Sequence, residues 1–163
     1  MADDELIKLA PKLGLALKAR GYTLALAESC TGGMVAQYVT AIAGSSAWFD
    51  RGFITYSNQA KMEMLGVTNL SLENFGAVSE QTAIEMALGA LKNSYAQIAA
   101  SITGIAGPDG GTPEKPVGTV CFAWVSNEFA AQAVTKHFNG NRESIRQQAA
   151  VTLITGLIDR LKA

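Results

Sequence analysis

Thr23-Leu24-Ala25-Leu26-Ala27, then Glu28-Ser29-Cys30-Thr31-Gly32-Gly33, then Met34-Val35-Ala36, is the stretch that sets the fold class. The first five residues form a short run with apolar side chains on both alternating faces, which suits a strand buried on both sides. A polar turn with two glycines follows, and residues 34–42 return to helical spacing. Strand, glycine-bearing turn and helix in that order indicate an α/β unit. Upstream, Leu6, Leu9, Ala10, Leu13, Ala16 and Leu17 recur at helical intervals, with Asp3 or Asp4 as cap and Gly21 as stop. Pro11 interrupts that pattern, so the helix is expected to kink there or to start twice.

Downstream, residues 48–56 read as a second strand broken at Asp50-Arg51-Gly52, and Ser57 as the N-cap of a short helix that carries Lys61 and ends near Gly66. Residues 68–77 are polar and loop-like. A long helix is expected over 79–95, a strand over 97–103, and a glycine-rich segment from Gly104 to Gly118. Residues 119–125 and 129–138 form a hairpin turned at Ser126-Asn127-Glu128, and 142–161 the closing helix after Asn139-Gly140-Asn141. Helices alternating with strands, with a hairpin near the end, predict a three-layer α/β/α sandwich on a mixed, mostly parallel sheet, in one domain spanning 1–163.

Composition excludes several classes of function. Of 163 residues 48% are apolar and 17% charged, a balance that supports a core rather than disorder. Thirteen basic against fourteen acidic side chains give a net charge near −1, so no footprint for nucleic acid exists. Two distant cysteines and one histidine, His137, cannot assemble a zinc site or a disulfide scaffold. The acidic start Asp3-Asp4-Glu5 is unlike a signal peptide, and no apolar run reaches membrane-spanning length. A reduced, cytoplasmic protein is expected, without metal, cofactor or membrane.

In α/β sheets ligands gather at the carboxyl ends of strands, where loops lead into helices. Three loops here have that placement: 28–33, 56–61 and 103–111. Ser29 could present a nucleophilic hydroxyl there, with the N–H groups of Thr31, Gly32 and Gly33 near an oxyanion or a phosphate. Equally, Ser29 or Thr31 could simply cap the helix. A serine nucleophile needs a base, and nothing marks His137 as one. Lys61 is the better candidate, because the positive end of a helix dipole and burial both disfavour its ammonium form. Tyr56, at the end of the preceding strand, could hold a proton beside it. The plainer reading makes Lys61 a solvated helix residue and Tyr56 core. Cys30 and Cys121 read as small buried hydrophobes.

Thr103-Gly104-Ile105-Ala106-Gly107-Pro108-Asp109-Gly110-Gly111 is too glycine-rich for a plain turn and could cradle an anion. It matches neither a dinucleotide-binding nor a Walker loop. Arg142 could clamp a phosphate, or could lie on an exposed helix face. Ser29 has no lysine three residues later, so the serine-x-x-lysine pattern of penicillin-binding proteins does not apply.

Five strings in register carry a resemblance. Ala27-Glu28-Ser29-Cys30-Thr31-Gly32-Gly33, Ala43-Gly44-Ser45-Ser46-Ala47-Trp48-Phe49, Thr55-Tyr56-Ser57-Asn58 with Lys61, Gly76-Ala77-Val78-Ser79, and residues 103–111 resemble the CinA C-terminal domain family over nearly the whole chain. The resemblance implies a stand-alone nicotinamide-nucleotide amidase, which converts nicotinamide mononucleotide to nicotinic acid mononucleotide and ammonia in pyridine nucleotide salvage. It implies Ser29 as nucleophile with Lys61 and Tyr56 as its catalytic partners, and a homo-oligomer without cofactor. Thr31, Gly32, Gly33, Ser46, Thr103, Gly104, Gly107 and Arg142 are then the expected substrate contacts, with Ser45-Ser46 open between contact and turn. Two rivals remain: a non-catalytic module that binds a nucleotide or a partner, and a serine amidase for another small amide.

Overall fold

A computed structural model of the chain describes residues 1–162. The order is α1 (Ala2–Arg20), β1 (Leu24–Glu28), α2 (Met34–Thr40), a 3-10 turn (Ser45–Ala47), β2 (Phe49–Ile54), α3 (Asn58–Leu65), α4 (Asn69–Phe75), α5 (Glu80–Lys92), β3 (Ile98–Gly104), β4 (Thr119–Ser126), β5 (Gln132–His137) and α6 (Arg142–Lys162). The five strands form one sheet in the order β2-β1-β3-β4-β5. β1 pairs in parallel with β2 and β3, while β4 runs antiparallel to both β3 and β5. Four of the five strands therefore point the same way, around a parallel core.

Alternation along the central strands sorts side chains by size. Leu24, Leu26, Ile98, Ile102, Val120, Phe122 and Trp124 face one side, where α1, α2 and α6 cover them with leucine, valine and isoleucine. Ala25, Ala27, Ala99, Cys121 and Ala123 face the other, under α3 and α5. Small residues let α5 approach the sheet closely: Ser101 Oγ donates to the Ala83 carbonyl at 2.6 Å. The result is the expected three-layer α/β/α sandwich.

Five local expectations are revised. α1 is helical throughout, because Pro11 lies on its exposed side and the Ile7 carbonyl that loses its donor is there too, Ile7 being 56% exposed. β2 is not broken at Asp50; instead Leu24 pairs with Phe49 and Ala25 with Arg51, so Asp50 is absorbed as a bulge. Residues 69–75 are a helix rather than loop, capped by Thr68 Oγ1 on the Ser71 N–H and fastened by Glu85, which accepts from the Thr68 N–H and the Ser71 hydroxyl. α5 ends at Lys92 and β5 spans only 132–137, both shorter than expected. Among the described residues no helix is long and apolar enough to cross a membrane, and no cluster of metal-ligating side chains occurs.

Candidate active site

The carboxyl ends of β1 and β3, with the loops after β2 and β3, enclose a cleft of about 270 Å³. Ser29, Tyr56, Asn58, Lys61, Thr103, Gly104, Gly107, Asp109 and Arg142 contribute to its lining. Ser29 directly follows β1 and is fixed by its N–H, which donates to the Ile102 carbonyl on the neighbouring strand at 3.1 Å. The parallel pairing of β1 with β2 continues one step further, the Thr55 N–H donating to the Glu28 carbonyl at 2.8 Å. That pairing brings the start of α3 beside Ser29. Ser57 caps α3 with its hydroxyl on the Ala60 N–H, and Lys61, four residues in, turns inward.

Lys61 Nζ lies 3.0 Å from Ser29 Oγ, 2.9 Å from the Thr55 carbonyl and 3.5 Å from the Tyr56 carbonyl. Only 2% of the lysine is exposed. Desolvation holds its pKa below the ordinary lysine value, which increases the neutral fraction. A neutral amine has two N–H donors and one lone pair. The two carbonyls can take the donors, and the lone pair can accept the Ser29 proton. Once protonated, the ammonium has three donors and three acceptors in place. Cys30, next to the serine, is pushed up to about 12, chiefly by burial and then by the Glu28 charge, so its thiol stays protonated at neutral pH.

Glu28 is the residue that sequence reasoning passed over. Its carboxylate is 1% exposed and accepts from the Thr31 hydroxyl at 2.6 Å and from the N–H groups of Gly33, Val35 and Ala36 at 3.2, 3.1 and 3.0 Å. It therefore caps α2 from within the preceding strand, where the helix N-terminus favours a negative charge. The signal in the sequence was an acid ending a wholly apolar strand just before a helix. The turn it organises needs Gly32 and Gly33, whose φ angles of 60° and 103° are left-handed.

The N–H groups of that turn have distinct fates. Gly32 donates to the Ser29 carbonyl and Gly33 to Glu28. Those of Cys30 and Thr31 have no acceptor among the described residues. On the outer side Arg146, from α6, donates through Nε to the Cys30 carbonyl at 3.0 Å and through Nη2 to the Thr31 carbonyl at 2.9 Å. Arg142, one turn earlier, donates to the Gly107 carbonyl at 2.7 Å and to the Tyr56 hydroxyl at 2.9 Å, tying the glycine loop to the tyrosine.

Ser29, Tyr56, Lys61, Thr103, Gly104, Gly107 and Arg142 are thus brought together. Thr103 is nearly buried, its hydroxyl on the Ala77 carbonyl at 2.8 Å. Thr31, Gly32 and Gly33 lie behind Ser29 and outside the cleft lining, the Thr31 hydroxyl being engaged by Glu28. Ser46 sits in the 3-10 turn before β2, at the amino end of the sheet and opposite the cleft. Its neighbour Ser45 accepts the Trp48 N–H through its carbonyl, in a turn. His137 lines a separate hollow with Cys121 and Glu80, its Nδ1 3.2 Å from Thr119 Oγ1.

Comparison with known proteins places this arrangement. The model of the CinA C-terminal domain matches residues 6–161. The nicotinamide-nucleotide amidohydrolase PncC of Enterobacter agglomerans is 53% identical over 163 residues, 99% of each chain. The protein of that name from Escherichia coli is 56% identical over 149 residues, 91% of this chain and 90% of its own. The crystal structure of the competence/damage inducible protein CihA from Agrobacterium tumefaciens superposes with a TM-score of 0.93 at 44% identity, over 98% of this chain and 96% of that one. A family match over nearly the full length, with high identity and the same fold, makes this chain a member of the CinA C-terminal domain family.

Proposed function

We propose that the chain is a nicotinamide-nucleotide amidase, hydrolysing the carboxamide of nicotinamide mononucleotide to nicotinic acid mononucleotide and ammonia, and serving pyridine nucleotide salvage. The carrying observation is the buried lysine 3.0 Å from a serine hydroxyl, both in the lining of the cleft at the carboxyl ends of the strands. Identity above 50% to two amidohydrolases of that name supports the substrate.

In this reading Ser29 Oγ attacks the carboxamide carbon while its proton passes to neutral Lys61. Negative charge develops on the carboxamide oxygen and is met by the unengaged N–H of Cys30, which lines the cleft, worth about 3–4 kcal/mol for a well-placed donor. The C–N bond then breaks and the nitrogen leaves as ammonia, taking a proton from Lys61 with Tyr56 positioning the transfer. Nicotinate is left as an ester on Ser29. Water, deprotonated by Lys61, hydrolyses that ester and restores the serine. The phosphate rests against residues 103–111, with Arg142 free to exchange one of its present partners for it.

Ammonia release from nicotinamide mononucleotide, with free nicotinamide as comparison, tests the reading. Release from the nucleotide alone is expected. Release from both keeps the chemistry and removes the phosphate subsite, and release from neither, by folded protein, overturns the assignment.

A further inference from the structure

Arg146 is not among the residues that line the cleft, yet its guanidinium is committed to the turn that carries Ser29. No carboxylate of the described residues lies within ion-pair distance of it. Its Nη2 packs beside Gly32, where an added Cβ would come within 3.6 Å. The charge is therefore spent on two successive backbone carbonyls, those of Cys30 and Thr31.

The geometry of the peptide unit gives those contacts a consequence for the reacting centre. In a trans peptide the C=O and the following N–H lie in one plane and point opposite ways. The Cys30 carbonyl shares its plane with the Thr31 N–H, so fixing the first fixes the direction of the second. The Ser29 carbonyl shares its plane with the Cys30 N–H and is held by the Gly32 N–H at 3.0 Å. Gly32 is in turn held by Arg146 through the Thr31 carbonyl, which also accepts from the Met34 N–H at 3.0 Å. A cation on a carbonyl also polarises that peptide and strengthens its N–H as a donor. On the far side the Glu28 carboxylate holds Gly33, Val35 and Ala36. The turn is gripped between a fixed cation and a fixed anion, and the two N–H groups left over are those of Cys30 and Thr31.

We propose that Arg146 is a positioning residue for the amidase reaction: by fixing the Thr31 carbonyl, and with it the Gly32 N–H that holds the Ser29 carbonyl, it orients the Cys30 N–H that receives the carboxamide oxygen. The inference rests on the amidase reading above. Arg146→Lys keeps a positive charge but cannot reach two carbonyls in fork geometry. It should lower kcat about 10–100-fold, the size expected from a misplacement of an ångström or less. KM should stay within about threefold, because Arg146 does not line the cleft.

The experiment measures ammonia release by wild type, Arg146→Lys and Arg146→Ala, alongside Tm and the rate at which a fluorophosphonate labels Ser29. That probe forms a serine–phosphorus bond and expels fluoride, so it reports the serine and its oxyanion site without needing the nucleotide. Millimolar guanidinium should restore part of the activity of Arg146→Ala, and urea, of the same shape without charge, should not. Labelling should slow in parallel with kcat, with Tm close to wild type. Wild-type kcat and labelling in Arg146→Lys overturn the proposal, as does a loss that only follows unfolding. Should wild type take the label but release no ammonia from the nucleotide, the substrate reading fails, and the labelling rates still decide the role of Arg146. Wild type that does neither overturns both.

Discussion

Lys61 Nζ stands 3.0 Å from Ser29 Oγ although 32 residues separate them, and the parallel pairing of β1 with β2 brings them together. Glu28 pairs with Ile54 at the end of both strands, so the residues just beyond, Ser29 and the entrance to α3, must be neighbours. The lysine comes from the helix side of the second strand and the serine from the turn after the first. Neither could be moved along its element by one residue without losing the other. The contact places a basic nitrogen in a desolvated position, which is unfavourable for folding and favourable for proton abstraction.

Ser29→Ala removes the nucleophile and leaves a cavity of one oxygen atom beside Lys61. Turnover should fall by about 10⁴-fold or more. Nucleotide binding, followed by calorimetry, should change by less than about threefold, since the cleft lining is otherwise intact. Near wild-type ammonia release by this variant would end the covalent mechanism.

The depressed pKa of Lys61 fixes the sign of two pH dependences. Activity requires the neutral amine, so kcat/KM should rise with pH and level off above a midpoint lying below the ordinary lysine value of about 10.4. Stability follows the same group. Between the lowered native pKa and the unfolded one, the unfolded chain binds more protons, so Lys61 makes stability increase with pH across that window. Lys61→Met, inactive but similar in volume, removes that dependence. The Tm of the variant relative to wild type should therefore be highest at acid pH and decline as pH rises towards the ordinary lysine value. A pH-independent difference would mean that Lys61 is charged in the native state.

Much of this was legible in the sequence, for reasons that differ by element. Residues 24–27 are apolar on both faces, a pattern that suits a strand between two helical layers. The helix at 69–75 was not legible. Its Asn69, Ser71 and Asn74 favour caps and turns, and the contact that stabilises it comes from Glu85, on another helix. The three loops could be placed at one edge of the sheet from their positions after strands. Glu28 and Arg146 could not be assigned in that way, since a buried carboxylate and a helix arginine acquire their meaning only from the backbone groups they meet.

Arg142 joins two parts of the cleft, through the Gly107 carbonyl and the Tyr56 hydroxyl. Arg142→Ala should raise KM for nicotinamide mononucleotide about tenfold or more, with a smaller fall in kcat, because a remote charge contact is made in ground and transition states alike. For the riboside, which lacks the phosphate, the same substitution should change KM little. Tyr56→Phe should do the reverse, lowering kcat while leaving KM within about threefold. An unchanged KM in Arg142→Ala would remove the arginine from phosphate recognition.

Gly89 tests how far the active centre depends on packing remote from it. It lies in α5 against the last turn of α3, and a Cβ added there would come within 2.0 Å of the Leu65 carbonyl oxygen and 2.7 Å of its carbon. Backbone atoms cannot rotate away as a side chain could, so Gly89→Ala must separate the two helices. Overpacking of this kind costs about 1–3 kcal/mol, sometimes more. For a domain of this size each kcal/mol lowers Tm by about 2–4 °C. Because α3 carries Lys61, the same displacement should lengthen the contact with Ser29 and reduce kcat beyond the loss of folded protein. Activity measured per folded molecule, well below the melting transition, separates the two effects. Full specific activity in a destabilised Gly89→Ala would show that α3 can shift without moving the lysine, and that the Thr55 and Tyr56 carbonyls alone hold its amine in place.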